Sequence, residues 1–566
     1  MSHQRTGPTR ARAVFRRVCR KPLRALGLWA LATCGFLLLP RAAWAQAAPT
    51  AADAAAARSD SAEPTFDIFE FVVVGNSVLA VEDIERAVYP FLGEKRVIAD
   101  VEAARSALER VYHERGYGSS GVDIPEQRVA GGVVTLKVVE ARIVRTRVTG
   151  ASYFSQGYIL EKVGAGAAGE VPHFPTLQAQ LGAVNRTADR RVTPLLRPGK
   201  EPGTTELDLA VEDHLPLHGS VELSNRASPN TSQTRLAASL RYDNLFQRDH
   251  SLALQAQASP ERTGEVKVFS ATYTAPMGEI GQDSLLASYT RSNSNVAAGI
   301  GGTNVLGKGQ IWGLRRGFTL GLKEREYHVL TLSADYKDYD ETVDFGEGQG
   351  FNTPITYLPL GVSLLSLVDD DQGRWQIGAS LSLGLNGIVN RQSEFASKRF
   401  DGRADYALLK LDLGREQKLP WNGLSLKVDL GVQIAGQPLI SNEQFVVGGV
   451  DSVRGYLESA AAGDQGVRAS IELRSAELAA ADSGWLRSLR AHLFVDGAAT
   501  WLHDPLKNAD GSLQDHRAGL LGTGFGLRLA ARPAGSLALD FAWALHPLGN
   551  TRRGDFRLHA SGGVEF

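Results

Sequence analysis

The 566-residue chain is predicted to fold as two small α+β modules of βααββ order, followed by an all-β transmembrane barrel of about 16 antiparallel strands. Three observations predict this fold class. The N-terminus has the layout of an export signal. A pattern of strands and helices occurs twice between residues 66 and 214, and alternating apolar and polar residues fill the chain from residue 215 to its last residue.

The export signal is predicted at residues 1–45. A basic stretch that ends at Arg24 precedes the apolar run Ala25–Pro40, and Ala43-Trp44-Ala45 follows as an A-x-A cleavage pattern. This layout is typical of a secretory signal peptide, and the apolar run is too short for a comfortable membrane span. The pair Arg16-Arg17 leaves a twin-arginine signal open as an alternative, although its neighbours fit that pattern poorly.

Cleavage after Ala45 changes the charge and the cysteine content of the chain. It leaves 52 of the 61 basic residues against 62 acidic ones, a net charge of −10. Because nucleic-acid binding depends on neutralising phosphates, no nucleic-acid partner is expected. Both cysteines, Cys19 and Cys34, leave with the signal, so neither disulfides nor thiol chemistry are predicted.

A first module is predicted at residues 66–142, after an Ala-rich tether at residues 46–65. Strands are expected at Ile68–Val74, Gly121–Arg128 and Val133–Glu140. Two helices have apolar residues at helical spacing: Ala80–Leu92 with Val81, Ile84, Val88 and Phe91, and Ile98–Tyr112 with Val101, Ala104, Leu108 and Val111.

A second module, at residues 143–214, repeats the same order. The expected elements are a strand at Val144–Thr149, helices at Gln156–Val163 and Thr176–Asn185, and two strands around a Pro-Gly turn, the last at Glu206–Glu212. A repeat of about 75 residues indicates a tandem module rather than one enzyme domain. The pair Arg190-Arg191 within it is interpreted as a solvated face.

The barrel is predicted at residues 215–566. In Leu424–Ile434, for example, apolar residues alternate with Ser425, Lys427, Asp429, Gly431 and Gln433. A soluble sandwich alternates in the same way, but about 350 residues suit about 16 membrane strands better. The chain ends on Phe566, with Val564 on the same face, and the six tryptophans after the signal all lie in this region. No other segment reaches the ~20 apolar residues of a membrane helix.

The combination of signal, two βααββ modules and large C-terminal barrel resembles the two-partner secretion transporters, the export branch of the Omp85 superfamily. These include the hemolysin and filamentous-hemagglutinin secretion proteins (ShlB/FhaC/HecB-like), whose modules are POTRA domains. The resemblance runs from about Phe66 to Phe566. The matching segments are Asn185-Arg186, Asp189-Arg190-Arg191-Val192, Leu196–Gly199, Pro202–Thr205, Leu223–Arg226, Ser228–Thr231 and Leu240–Phe246.

The most specific match is Val453-Arg454-Gly455-Tyr456, within a Gly-rich connection around residues 447–466. In the family this tetrapeptide lies at the tip of a loop folded back into the barrel, and its arginine pairs with an aspartate on the inner wall. The resemblance places that aspartate at Asp496, followed by Gly497.

The residues allow this pairing but also a second one. In Leu489–Gly497 the apolar side chains leave Arg490, His492, Phe494 and Asp496 facing the lumen, and a confined carboxylate needs a cationic partner. The residues alone equally allow a second arrangement, in which Arg454 lies on an exposed loop and Asp496 pairs with Arg490. Glu472 and Asp429 are interpreted as members of polar pairs inside the barrel rather than as catalytic acids.

The resemblance implies an outer-membrane translocator with POTRA domains in the periplasm. It would capture an unfolded secreted partner, of the adhesin, hemolysin or toxin class, and export it through the barrel without ATP. Outer-membrane lipid and the barrel-assembly machinery are further implied partners, with Val564 and Phe566 in the C-terminal assembly signal. A plug helix, if one exists, is expected within Ala47–Arg58, because only about 20 residues precede the first module.

Rival functions remain open at this point. A barrel-insertion factor of the same superfamily is the first alternative, and a porin or receptor for small solutes is the second. An outer-membrane hydrolase is the third, but the sequence contains no metalloprotease motif, cysteine ligand set or nucleophile elbow. We therefore expect no enzyme activity, cofactor or metal.

Overall fold

The protein is described by a computed structural model that covers residues 64–229, 231–278, 281–300, 303–340, 342–344, 350–480, 484–505 and 513–566. The predicted signal peptide, the plug segment Ala47–Arg58 and almost all of the tether lie outside the described residues. Among the described residues, no helix has the length and apolar character needed to cross a membrane.

The first module packs two helices against short strands. Its elements are β1 (Phe66–Ile68), β2 (Glu70–Val74), α1 (Val81–Val88), β3 (Gly93–Arg96), α2 (Ile98–Glu114), β4 (Gly121–Asp123) and β5 (Val133–Val139). Strand β5 lies between β2, to which it is parallel, and β4, to which it is antiparallel. Leu108, Tyr112 and Leu136 are fully buried between this sheet and α2.

Two predicted elements of this module are shorter in the structure, and proline explains both. The helix expected to reach Leu92 ends at Val88 and continues as a 3₁₀ turn over Tyr89–Phe91, because Pro90 cannot donate the next helical hydrogen bond. The strand expected at Gly121–Arg128 is limited to Gly121–Asp123, since Pro125 cannot join a ladder. Val81, one of the apolar residues at helical spacing in this helix, is 62% exposed, because it begins the helix.

The second module repeats the arrangement. Its elements are β6 (Arg142–Thr149), α3 (Gln156–Lys162), α4 (Phe174–Val184), β7 (Arg190–Pro198) and β8 (Thr204–Asp213). The sheet order is β6-β8-β7, with β6 parallel to β8. The modules also contact each other, because the Phe174 N–H donates to the Gly116 carbonyl at 2.9 Å and His173 Nε2 lies 3.1 Å from the Arg115 carbonyl oxygen.

Antiparallel strands fill the rest of the chain. The first are β9 (Leu217–Ser224), β10 (Arg235–Leu245), β11 (His250–Ala258), β12 (Lys267–Met277), β13 (Asp283–Ile300), β14 (Thr303–Lys323), β15 (Glu326–Tyr339), β16 (Thr342–Asp344), β17 (Gly350–Asn352) and β18 (Ile355–Tyr357). The others, with a helix α5 (Gln392–Lys398), are β19 (Leu360–Asp370), β20 (Gly373–Gly384), β21 (Tyr406–Lys418), β22 (Ser425–Ala435), β23 (Phe445–Val447), β24 (Ala461–Gly463), β25 (Gln465–Arg474), β26 (Leu486–Trp501), β27 (Arg517–Ala531), β28 (Gly535–Ala544) and β29 (Phe556–Glu565).

These strands close into a barrel. Strand β29 pairs with β9, with Val564 opposite Val221, and the N–H and carbonyl of Phe566 both bond to Gly219 at 2.9 Å. Strands β18 and β19 pair successively with β15 and share one position, so the described barrel has sixteen positions. Closure leaves the described barrel strands with no unpaired sheet edge in lipid. The predicted fold class is confirmed.

The two faces of the barrel wall differ in chemistry. On β22, Leu430 and Ile434 are 39% and 46% exposed on the outside, whereas Gln433 is buried. This alternation is the one that a lipid-facing surface and a polar lumen require.

Candidate functional site

A long connection folds back into the barrel. The inward loop comprises residues 436–464, which join β22 to β25. Its two arms pair as β23 and β24, with Phe445 opposite Gly463 and Val447 opposite Ala461. The loop is therefore a β-hairpin, and its tip carries residues 448–460, including the predicted tetrapeptide.

Arg454 at the tip binds Asp496 on β26. Its Nε donates to Asp496 Oδ2 at 2.6 Å and its Nη2 donates to Asp496 Oδ1 at 2.7 Å. The Arg454 backbone N–H adds a third bond to Oδ2 at 3.1 Å. The side chains are only 4% and 1% exposed, so this is a buried, bidentate ion pair of the strong, orientation-specific kind.

A wider polar network surrounds this pair. Arg454 Nη1 also donates to Glu472 on β25 at 2.7 Å and lies 3.7 Å from Asp540 on β28. Arg474 bonds Glu472 at 2.8 Å, and Arg528 bonds Asp540 at 2.8 Å. Three arginines thus face three carboxylates here, which compensates the charges that the wall buries.

An aromatic ring completes the contacts of Arg454. The guanidinium carbon lies 3.5 Å from the centre of the Phe494 ring, a cation–π contact of the kind that is stronger in a desolvated site. Phe494 precedes Asp496 by two residues on β26 and therefore shares its face. One short stretch of strand supplies both the carboxylate and the stacking ring.

Gly455 is required by the path of the loop at its tip. It has φ +97°, and a Cβ added there would lie 3.1 Å from the backbone of Trp543 and Ala544. On the wall, a Cβ at Gly522 would lie 2.0 Å from the Arg454 carbonyl oxygen. Only glycines allow the loop backbone to approach β27 and β28 this closely.

Tyr456 attaches the tip to the end of the barrel wall. Its hydroxyl donates to the His546 carbonyl at 2.6 Å and lies 3.1 Å from the Leu521 carbonyl oxygen, and it accepts the N–H groups of both residues at 3.3 Å. Its ring is fully buried, as is Val453, in a cluster with Val447, Leu520 and Ala544. All four residues of the tetrapeptide therefore contact the wall rather than solvent.

The structure separates the other predicted site residues from this centre. Gly497 follows Asp496 on β26 but pairs with Ala469 and Leu521 and lies outside the ion-pair network. Val564 and Phe566 are at the seam with β9, with exposed fractions of 54% and 71%.

The alternative partner for Asp496 is not used. Arg490 instead lies 3.5 Å from Glu477, near the β25–β26 turn. Of the four residues predicted to face the lumen, His492, Phe494 and Asp496 are buried at the site. His492 Nε2 lies 2.8 Å from Asp540.

Two further contacts, which the sequence did not predict, hold the flank of the tip. Arg226 donates to Asp451 at 2.7 Å, and the Glu458 N–H donates to the Ala227 carbonyl at 3.0 Å. Both link the inward loop to the β9–β10 connection. Leu223–Arg226 is one of the segments that match the family, which marks it in the sequence. Its contact with the inward loop, however, depends on barrel closure, which the sequence pattern does not show.

A second buried arginine joins the second module to the barrel, contrary to the solvated face expected for Arg190-Arg191. Arg190 donates twice to Asp249, at 2.9 and 3.0 Å, and lies 4.5 Å from the Phe154 ring centre. Its side chain is 1% exposed, whereas Arg191 is exposed. The expectation was wrong for Arg190 because the β10–β11 turn covers the end of β7.

Tyr158 reinforces this joint. Its hydroxyl lies 3.1 Å from Asp249 Oδ2. Burial, and then the negative charge of Asp249, raise the pKa of Tyr158 above its ordinary value. The hydroxyl therefore stays protonated and acts as a donor to the carboxylate.

A cavity of about 400 Å³ lies beside the joint, lined by Asp189, His218 and Asp243 among others. Among the described residues, these three are placed to share a cation. However, His218 is 3.0 Å from Asp189, and Arg241 is 2.8 Å from Asp243. Pairing within the group accounts for the arrangement.

Two family models match this chain. The family model described as haemolysin secretion/activation protein ShlB/FhaC/HecB matches residues 203–529, more than half of the chain. The model of the ShlB-type POTRA domain matches residues 66–141. The outer membrane transporter CdiB of Escherichia coli O6:K15:H31 is 26% identical over 487 residues, which cover 81% of this chain and 76% of the relative.

Two solved structures share the fold. CdiB from Escherichia coli aligns with a TM-score of 0.63 at 19% identity, over 90% of this chain and 92% of its own. BamA from Haemophilus ducreyi, lacking POTRA domains 1–3, aligns with a TM-score of 0.54 at 14% identity, over 88% and 100% of the two chains. The resemblance found in the sequence is confirmed: the chain belongs to the haemolysin secretion/activation protein family ShlB/FhaC/HecB, outer-membrane transporters of two-partner secretion with periplasmic POTRA domains.

Proposed function

We propose that export by this protein depends on the inward loop, which the Arg454–Asp496 pair holds in its working position. The partner is captured while unfolded, the loop rearranges, and the chain threads the barrel without ATP. The observation that carries this proposal is the buried pair itself, at 2.6 and 2.7 Å. It joins the loop to the wall by side chains, so it can be broken without opening the strand ladder of the barrel.

The proposed domain organisation follows the predicted boundaries. A signal peptide at residues 1–45 and a tether at residues 46–65 would precede two periplasmic modules, at 66–142 and 143–214, and the barrel at 215–566. The modules suit capture of an extended chain, because the strand edges of their sheets offer main-chain bonds to an added strand. The Arg190–Asp249 joint supports this arrangement by holding the second module at the barrel mouth.

The exported partner is proposed to be a secreted protein of the adhesin, hemolysin or toxin class. Family membership supports a secreted partner, and the similarity to CdiB does not select one class. For its own assembly the barrel is proposed to use the barrel-assembly machinery, with Val564 and Phe566 as its C-terminal signal. Their position at the β29–β9 seam supports a role at the closing step of assembly.

The test compares secreted and outer-membrane proteins in cells with the gene intact, deleted, or carrying Arg454→Ala. We expect deletion to remove one large secreted protein while other outer-membrane barrels stay at wild-type levels. Broad loss of outer-membrane barrels on deletion would instead identify a barrel-insertion factor and would overturn the proposal.

A further inference from the structure

The inward loop has a second charged contact, at its root. The 3₁₀ turn Ser441–Glu443 precedes β23, and the Glu443 carboxylate is buried beneath it. Lys337 Nζ donates to Glu443 at 2.5 Å, and the Tyr357 hydroxyl donates to it at 2.8 Å. The Lys337 and Glu443 side chains are 13% and 8% exposed. This is a buried ion pair with a neutral hydrogen-bond donor.

The root contact lies on the opposite side of the barrel from the tip. Lys337 is on β15 and Tyr357 is on β18, which pairs with β15. The tip pair is made with Asp496 on β26, six positions from β15 in the sixteen-position ring, and the tip network reaches Asp540 on β28, eight positions from β15. Six to eight positions of sixteen is close to half the circumference. The inward loop therefore crosses the lumen and is attached to both walls.

Packing around the root is aromatic and dense. Tyr357 is fully buried, and its ring centre lies 6.2 Å from that of Tyr339 and 5.7 Å from that of Phe395, on α5. Leu439 and Ile440 of the inward loop join the same buried cluster. The Glu443 carboxylate thus has few alternatives to Lys337 and Tyr357 in this environment, although Lys410 also acts on it electrostatically.

Hydrogen bonds between side chains and the backbone connect the root to the paired arms of the loop. Asp464 is completely buried and accepts the N–H groups of Leu439, at 3.0 Å, and His503, at 2.7 Å. Gln433 donates to the carbonyls of Glu443 and Asp464. Strands β23 and β24 pair with each other, so the root and the tip belong to one hairpin.

We propose that Glu443, Lys337 and Tyr357 form a root anchor that holds the inward loop across the lumen, and that this root anchor must release before the partner passes. The three are positioning residues, and the release step rests on the proposed export function. The physical reason is geometric. While the root anchor is closed, the hairpin stays attached to the β15 wall and within the lumen, whatever the state of the tip, so rearrangement of the loop requires the root anchor to open.

The first experiment measures the resting conductance of the purified full chain in planar lipid bilayers. Glu443→Gln removes the charge that attracts Lys337 and should raise the fraction of time spent conducting by about tenfold or more, as expected when a buried pair loses one partner. Tyr357→Phe removes one hydrogen bond and should raise it by about threefold. Lys323→Met is the matched control, since its pair with Glu326 is exposed, and should conduct like the wild type.

Folding is checked in the same samples, because an unfolded barrel would not report on the root anchor. Folded barrels are compared by heat-modifiable migration on gels before each recording. If Glu443→Gln does not assemble, Tyr357→Phe carries the test, because it changes only a hydroxyl group. Wild-type conductance in an assembled Glu443→Gln or, in its absence, Tyr357→Phe variant overturns the proposal.

The second experiment asks whether release is needed for export. Lys337→Cys with Glu443→Cys introduces two thiols into a chain whose own cysteines, Cys19 and Cys34, lie in the predicted signal. A short reductant-cleavable bis-methanethiosulfonate should stop secretion of the partner, and reductant should restore it. Each single cysteine variant, treated alike, is the control. Unchanged secretion by the cross-linked protein overturns the release step.

The two experiments separate this proposal from the proposed function. If deletion of the wild-type gene changes no secreted protein, the export function fails and the release step fails with it. The bilayer measurement needs no partner, so it still decides whether Glu443 holds the inward loop.

Discussion

Two buried arginines organise this molecule, one at the loop tip and one at the joint between the second module and the barrel. Arg454 is bidentate to Asp496 and stacks on Phe494. Arg190 is bidentate to Asp249 and stacks on Phe154. The local chemistry is therefore nearly the same in two places with different tasks.

The difference lies in what surrounds each carboxylate. Asp496 is 1% exposed, whereas Asp249 is 25% exposed. Glu472 and Asp540 also lie near Arg454, but Arg190 has the Val184 carbonyl as its other acceptor. Loss of Arg454 would leave carboxylates that water cannot reach easily, and loss of Arg190 would leave one that water can. The same kind of ion pair is therefore expected to be sensitive to mutation where its carboxylate is buried, and to tolerate mutation where water can reach the carboxylate.

The largest effect is expected for Arg454→Ala. It leaves Asp496 and Glu472 without their shared cation, at a local cost of about 3–5 kcal/mol. We expect secretion of the partner to fall about tenfold or more, to a level that can still be measured, while the barrel still assembles, because no ladder bond is lost. Immunoblots of culture medium and heat-modifiability of the outer-membrane fraction measure the two quantities.

Arg374→Ala is the matched control for this variant. Its pair with Asp369 lies at an exposed turn, so its removal should leave secretion unchanged. Normal secretion by Arg454→Ala would show that the tip pair has no part in export.

A smaller effect is expected for Arg190→Ala, because Asp249 can be hydrated after the change. A local loss of about 1.5–3 kcal/mol should loosen the second module and lower secretion partially. Limited proteolysis of the purified protein should cut near the module–barrel joint faster than in the wild type. Arg191→Ala, on the exposed side of β7, serves as the control. Equal loss of secretion in Arg190→Ala and Arg454→Ala would contradict the expected difference between the two ion pairs.

The smallest effect is expected for Tyr456→Phe. The ring stays in its cluster with Val447 and Leu520, and the bonds between the hydroxyl and the backbone carbonyl and N–H groups of His546 and Leu521 are lost. A cost of about 0.5–1.5 kcal/mol should lower secretion by less than half. Quantitative comparison of secreted partner at several time points would detect this, and complete loss would mean that the hydroxyl has a role beyond holding the tip.

The sequence predicted the fold class for an identifiable physical reason. Strand alternation is local, so residues such as Leu430 and Gln433 are assigned to opposite faces without any structure. The pair of Arg454 and Asp496 came from the family resemblance, since residues alone left Arg490 as an equal partner.

Other features depend on contacts that no local pattern contains. Glu443 and Lys337 are 106 residues apart, and only barrel closure brings β15 within reach of the loop root. Arg190 was misinterpreted for the same reason, because a turn that begins more than 50 residues later covers it. The sequence could not predict which charged side chains are buried by residues far away along the chain.

The most direct test of the account is a double-mutant cycle on the tip pair. Secretion is measured for Arg454→Ala, Asp496→Ala and the two together, each normalised to folded barrel in the outer membrane. If the pair holds the inward loop, the double variant should secrete no less than Arg454→Ala, because removing Asp496 also removes a stranded charge. Independent effects that multiply in the double variant would contradict the account.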